Sequence, residues 1–340
     1  MRAAQLREYH RPLELVDRPE PEPARPRDVV VRVGGAGVCA TDLHAQDGSM
    51  ESAGVRLPLV LGHENAGWVH AVGGDVTSVA PGDAVMLYPA YSCGLCVNCR
   101  RGREMFCDRH QFTGLSRDGG FADYVLVDER SLIPLPPGVE PAAVAPHADA
   151  GITAYHAVKK LLPRLVPGST SVVIGVGGVG HIALQLLRAL GGGAVVGVDT
   201  DERRRRLARE LGADEVIEGG ASAADSVREA TNGLGADVVL DFVATDATHA
   251  AGVAMLGRHG LYSTVGYGGM LAVPSVALVV GENAIAGNLV GNWIDLWELL
   301  QLHARGDVTL RTETHPLEGV NDVLDSLRSG DVTGRAVLVP

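Results

Sequence analysis

Four of the chain's five cysteines, Cys93, Cys96, Cys99 and Cys107, fall within fifteen residues. They read C-G-L-C-V-N-C, followed by a seven-residue gap and the fourth Cys. Two-residue gaps let a backbone curl around one ion, so this spacing suits a single tetrahedral metal held by four thiolates. Irregular backbone of that length needs fastening, and a metal would supply it. The fifth cysteine, Cys39, stands alone upstream of Gly62-His63-Glu64. Two metal sites of different character follow: one closed and all sulfur, one mixed and able to keep a place open for chemistry.

At 340 residues the chain exceeds one ordinary core, and two domains are expected. Residues 1–150 read as short strands broken by turns: Val29–Val33, a glycine turn at Gly34–Gly37, Leu57–Leu61, Gly67–Gly73, Ala84–Leu87 and Gly119–Val127. The cysteine stretch 92–109 is hydrophilic and loop-like. Beyond residue 150 strands alternate with helices. Ser171–Ile174, Ala194–Val198, Ala236–Leu240 and Gly260–Val265 are strands. Gly151–Leu162, His181–Leu190, Asp201–Leu211 and Trp293–Arg305 are helices. That rhythm implies a parallel sheet wrapped by helices. The tail Arg335–Val339 is a last strand that can rejoin the first domain. The run Arg203–Arg206 reads as a solvated helix face.

Gly175-Val176-Gly177-Gly178-Val179-Gly180 fits G-x-G-x-x-G. The pattern is weak alone in a chain with 44 glycines, but here it follows a strand and opens a helix. Glycines let the backbone approach a pyrophosphate, whose charge then sits at a helix N-terminus. Asp199, 19 positions after Gly180, ends the next strand. Its carboxylate can bind an adenosine ribose and would repel a 2′-phosphate, which favours NAD over NADP. Arg203 and Arg204 are the alternative, as partners for such a phosphate.

Catalytic zinc needs three protein ligands and an open position. Cys39 and His63 are the natural first two. Asp149, at the domain junction, is the candidate third, with His147 as its substitute; a helix cap would also explain an Asp there. Glu64 is either an occasional ligand or an anion behind the ligands. A net charge of −12 disfavours nucleic acid or an anionic membrane as partner. The first residues carry no apolar signal core and no run nears a membrane span, so a cytoplasmic location is expected. Reduced, clustered cysteines fit that setting.

Gly37-Val38-Cys39-Ala40-Thr41-Asp42, Gly62-His63-Glu64-Asn65-Ala66-Gly67, the cysteine lobe, and Gly175–Gly180 with Asp199 resemble the zinc-dependent medium-chain alcohol dehydrogenase family. The resemblance runs along essentially the whole chain. Asp149-Ala150-Gly151-Ile152-Thr153-Ala154-Tyr155-His156-Ala157 is most similar to the bacterial NAD-dependent secondary-alcohol branch. The resemblance implies an α/β chain with a GroES-like, β-rich, zinc-binding catalytic domain (1–151 and 292–340) and a Rossmann, doubly wound NAD-binding domain (152–291). It assigns a catalytic zinc to Cys39, His63 and Asp149, and a structural zinc to Cys93, Cys96, Cys99 and Cys107. The cofactors implied are NAD and two zinc ions per chain. Cofactor contacts are expected at Gly175, Gly177, Gly178, Val179, Gly180, Asp199 and Arg204.

The resemblance also implies a proton relay. Thr41 receives the alcohol proton and His44 passes it outward through the nicotinamide ribose. Ala40 is small where many relatives carry a larger or charged residue. The expected reaction is reversible oxidation of an alcohol to a ketone or aldehyde by hydride transfer. The pocket is expected from Gln46–Leu57, Gln111–Leu115 and Leu289–Trp293. Met50, Val55, Leu115, Leu289 and Val290 make it apolar, which suits a neutral secondary alcohol or ketone. A polyol dehydrogenase of the sorbitol type would need more polar residues there. A non-enzymatic cofactor-binding relative would not need Cys39, His63 and Asp149. An iron–sulfur carrier fits poorly, because the last cysteine gap is long and no Pro follows Cys107. The apolar stretch Ala284–Val290 matches an edge strand through which relatives pair, so a homodimer or homotetramer is expected.

Overall fold

The computed structural model describes residues 1–51 and 54–340. Two compact units emerge: Met1–Ile152 with Asn292–Ala304 and Leu310–Pro340, and Thr153–Gly291 with Arg305–Thr309. Arg305–Thr309 joins the second unit through Gln185, whose amide donates to the Thr309 carbonyl (2.9 Å) and accepts from the Thr309 N–H (2.9 Å).

The first unit is built on a 7-stranded sheet whose central strand is Asp28–Gly37. Val29, Val30 and Val31 are all fully buried, so both faces of this β-branched run are covered. The strand pairs along its length with Glu64–Val72. Its first half also pairs with Tyr124–Asp128, and its end with the chain's last strand, Arg335–Val339. Thr312–Pro316 lies parallel to that last strand.

The expected turn at Gly34–Gly37 is absent; the strand runs straight through it. The glycines answer crowding instead. A Cβ on Gly34 would lie 2.6 Å from the Trp68 ring, and one on Gly35 would lie 2.6 Å from the Ala142 backbone. The pairing register shifts between Val33 and Gly35, which turns the strand's end toward Cys39. The strand expected at Gly119–Val127 begins only at Tyr124. The glycines before it are threaded against residues 60–62, with Gly119 N donating to Val60 O and Gly120 N to Gly62 O.

The second unit is a six-stranded parallel sheet. Across it the strands run Glu215–Glu218, Ala194–Asp199, Thr170–Ile174, Ala236–Asp241, Leu256–Thr264 and Ala284–Gly287. Val172, Ile174, Val196, Val198, Val239 and Tyr262 form its buried core. Strand order reverses between Thr170–Ile174 and Ala236–Asp241, and ligands of such sheets bind where the order reverses. Among the described residues, Ala284–Gly287 is an edge strand, paired on one side only.

Candidate active site

The mixed metal site assembles within the first unit. Cys39 sits where the central strand ends and caps the helix Ala40–Gln46 in an extended conformation. Asp42, in that helix's first turn, accepts the Cys39 N–H (2.9 Å) with one carboxylate oxygen. The other lies 3.3 Å from His63 Nδ1. Gly62 delivers His63: it has φ +97°, and a Cβ there would lie 2.4 Å from the Phe121 ring. His63 Nε2 is 3.5 Å from Asp149 Oδ2, and Cys39 Sγ is 3.8 Å from the same oxygen. A tetrahedral zinc with a Zn–S bond of about 2.3 Å and Zn–N and Zn–O bonds of about 2.0 Å needs ligand separations of roughly 3.3–3.5 Å. These donors fit.

The surrounding charges fit a cation as well. His63 is 1 % exposed, and neither ring nitrogen has a hydrogen bond of good geometry. Burial pulls its pKa down, but the charge of Asp42 and contact with Asp149 hold it well above the ordinary value. Asp149 is lowered, burial notwithstanding, by His63 and Arg335. Burial pushes Glu64 up, opposed by Arg335.

Glu64 lies in the same cluster as Cys39, His63 and Asp149. Its Oε1 accepts the Ala150 N–H (3.0 Å), next to Asp149, and its Oε2 accepts from the Arg335 guanidinium (2.5 Å). A Cβ on Gly37 would fall 2.0 Å from Oε2, so that glycine makes room for the carboxylate. His147, the alternative third ligand, is not among the clustered donors; its Nε2 lies 3.0 Å from His303 Nδ1. Gly151, one turn on, leaves space for its ring; a Cβ there would lie 2.3 Å from His147 Nδ1. Thr41 Oγ1 is 3.8 Å from Cys39 Sγ. His44 lies one helical turn beyond Thr41, with Nδ1 3.8 Å from Asp47 Oδ2.

Two residues of this site escaped the sequence reading. Asp42 had a local signal, an acid three positions after a helix-capping residue. Arg335 had almost none: it opens an apolar strand 271 positions from Glu64. It is 5 % exposed, and Glu64 and Cys39 hold it charged against the pull of burial.

In the cysteine lobe, a short helix Val97–Arg100 and a tight turn Glu104–Phe106 replace the expected loop. Cys96 Sγ is 3.5 Å and Cys93 Sγ 3.9 Å from Cys99 Sγ, near the roughly 3.8 Å edge of a four-sulfur zinc tetrahedron. Backbone N–H groups of Leu95 and Cys96 bring the Cys93 thiol down to about 6. Burial and neighbouring thiols push Cys99 up to about 12. A bound cation would hold all four sulfurs as thiolates at this spacing. All five cysteines are free of disulfides. Arg130 fastens the lobe to the sheet by donating to Cys93 O (2.7 Å).

The glycine turn lies in the second unit. Gly175 follows its strand with φ +85°, and Gly178 and Val179 lead into the helix Gly180–Leu190. A Cβ on Gly180 would meet Gly175 O at 1.9 Å, so the turn is as tight as a pyrophosphate cradle requires. Asp199 accepts the Val176 N–H (2.8 Å) and the Asp201 N–H (3.0 Å). A carboxylate has about four acceptor positions, so two remain for ribose hydroxyls. The arginine run is not a uniform solvated face. Arg204 lies over Gly177, 3.9 Å from where its Cβ would be, and Arg205, 12 % exposed, donates to the carbonyls of Asp199 and Thr200.

Comparison with known proteins agrees with this geometry. Residues 25–137 match the alcohol dehydrogenase GroES-like domain, and residues 178–305 the zinc-binding dehydrogenase family. An NAD-dependent alcohol dehydrogenase of Sulfurisphaera tokodaii is 37% identical, with 100% of both chains covered. A D-arabinose 1-dehydrogenase (NADP(+)) of Saccharolobus solfataricus is 34% identical, covering 100% of this chain and 97% of its own. The crystal structure of the alcohol dehydrogenase from the archaeon Aeropyrum pernix superposes with a TM-score of 0.97 at 42% identity, over 100% of both chains. The chain belongs to the zinc-dependent medium-chain alcohol dehydrogenase family.

Proposed function

We propose that this chain oxidises a neutral, apolar secondary alcohol to its ketone, reversibly, with NAD and a zinc held by Cys39, His63 and Asp149. One observation carries the reading: three donors of catalytic type converge, while the oxygens of Glu64, the fourth member of the cluster, are engaged by Ala150 and Arg335. That leaves a coordination position for substrate. Bound there, zinc supplies a Lewis acid for an alcohol oxygen and the nicotinamide ring supplies the hydride acceptor. The chain's own residues do the rest. Asp42 and Glu64 keep the ligands oriented. Thr41 accepts the alcohol proton, and His44, at the edge of solvent beside Asp47, carries it out. Four thiolates fill the cysteine lobe's metal, so that zinc holds structure and takes no substrate.

The apolar preference rests on Phe112, whose ring centre is 6.0 Å from that of His63, and on nearly buried Leu115. Val55 is wholly buried and offers no face to a substrate. Of the loop Gln46–Leu57, Ser52 and Ala53 lie outside the described residues. NAD is favoured by Asp199; Arg204 beside Gly177 supports the alternative, a cofactor carrying a 2′-phosphate. A homodimer or homotetramer is supported by the open side of the second unit's edge strand and by the helix Ser275–Gly281 beside it in sequence. There Val276, Val279 and Val280 are all exposed, Val279 by 74 %. A reducing cytoplasm suits the cysteines. No helix among the described residues is long and apolar enough to cross a membrane.

The test is a panel of secondary and primary alcohols, polyols and aldoses with NAD and NADP, with and without chelator. NAD-linked turnover of secondary alcohols that chelator abolishes is expected. Turnover insensitive to chelator, or confined to aldoses with NADP, would overturn the reading.

A further inference from the structure

Asp241, at the C-terminal end of its strand in the second unit, is a fully buried carboxylate. A buried acid is costly unless its oxygens are satisfied. Here one oxygen accepts two backbone N–H groups, Val243 (2.8 Å) and Ala244 (2.9 Å). The other accepts the Tyr262 hydroxyl (2.7 Å). Tyr262 is itself fully buried, and burial together with Asp241 raises its pKa, so it stays a donor. Its oxygen also lies 2.7 Å from His249 Nδ1. Because the hydroxyl proton goes to Asp241, His249 must donate from Nδ1, which fixes its ring. Gly252 clears the space, since a Cβ there would lie 2.5 Å from the Tyr262 ring.

This chain of bonds holds an unusual loop. Ala244 takes a left-handed conformation, φ 56°, which a residue with a Cβ adopts at some cost. The loop presents Val243, 43 % exposed, directly against Gly175: a Cβ on Gly175 would lie 2.5 Å from Val243 Cγ2. Gly175 opens the glycine turn, and the two strands concerned are those between which the sheet's order reverses. Val243 therefore flanks the crevice in which a dinucleotide sits.

We infer that Asp241, Tyr262 and His249 form a positioning relay that holds the Phe242–Ala244 loop, and through it the glycine turn, in the shape that takes the dinucleotide. The inference rests on the NAD reading above. None of the three need touch the cofactor; they act through Val243 and Gly175.

Tyr262→Phe removes one hydroxyl and keeps the ring's shape. NADH binding to the purified zinc-loaded protein is followed by fluorescence titration well below the melting temperature. The dissociation constant is expected to rise about fivefold or more, as expected for loss of one bond to a buried charge. The KM for NAD rises with it, while the KM for alcohol and the zinc content stay put. Asp241→Asn keeps an acceptor for the loop's N–H groups and lets the Tyr262 hydroxyl turn to His249, so it retains more affinity than Asp241→Ala. A variant Tyr262→Phe that melts earlier yet binds NADH as the unmodified chain does would overturn the relay alone. An unmodified chain that binds no NADH would overturn both the relay and the NAD reading.

Discussion

Replacing Arg335 with methionine tests how the metal ligands are held in place. The guanidinium lies 2.5 Å from the Glu64 carboxylate, with side chains 5 % and 0 % exposed. Coulomb's law with an effective dielectric of about 20 gives roughly 7 kcal/mol of gross attraction at that distance. Desolvation of both ions cancels most of it while the pair is intact. Remove Arg335 and the desolvation of Glu64 remains with nothing to offset it, a loss of about 3–5 kcal/mol. Glu64 keeps the Ala150 N–H, so the lower end, about 3 kcal/mol, is expected. The same bond ties Glu64 to the residue after Asp149, so affinity for the catalytic zinc should fall about 10- to 100-fold. Urea unfolding at matched zinc loading, with metal analysis alongside, reads both. The double variant Arg335→Met with Glu64→Gln removes the stranded charge and should recover much of the stability. A single variant within about 1 kcal/mol of the unmodified chain, with zinc affinity intact, would refute the reasoning. So would a double variant no more stable than the single one.

Cys107→Ser should cost about one zinc per chain and lower the melting temperature far more than it changes the residual turnover of folded protein, because structural zinc contributes folding free energy; full zinc content with unchanged melting would contradict this. Asp199→Gly should relax the preference for NAD over NADP by about tenfold, roughly 1.4 kcal/mol, and weaken NAD binding as the Val176 N–H loses its acceptor; an unchanged ratio in steady-state kinetics would sink the assignment. His44→Gln should slow turnover about tenfold or more at neutral pH, with recovery at high pH or on adding imidazole; an identical pH profile would remove His44 from the proton path.

Much of the fold was legible because buried parallel strands such as Ser171–Ile174 and Ala194–Val198 are short apolar runs followed by turn or helix signals. The cysteine lobe and glycine turn were legible because their chemistry is local. Gly34–Gly37 misled for the opposite reason. A glycine cluster signals a turn locally, but these glycines are set by Trp68, Ala142 and Glu64, which reach them from elsewhere in the chain. His147 and Asp149 stood as alternatives because both lie at the junction; only the position of His303 on a distant helix separates them. Arg335, like the Tyr262–Asp241 bond, belongs to contacts far apart in sequence that no periodicity encodes.

The central claim is that Cys39, His63 and Asp149 hold a catalytic zinc separate from the zinc of the cysteine lobe. Metal analysis of Asp149→Ala, with NAD-linked alcohol oxidation measured on the same preparation, addresses it directly. The account predicts about one zinc retained per chain, a cysteine lobe still loaded, and turnover lost. Two zinc ions per chain with undiminished turnover would contradict it.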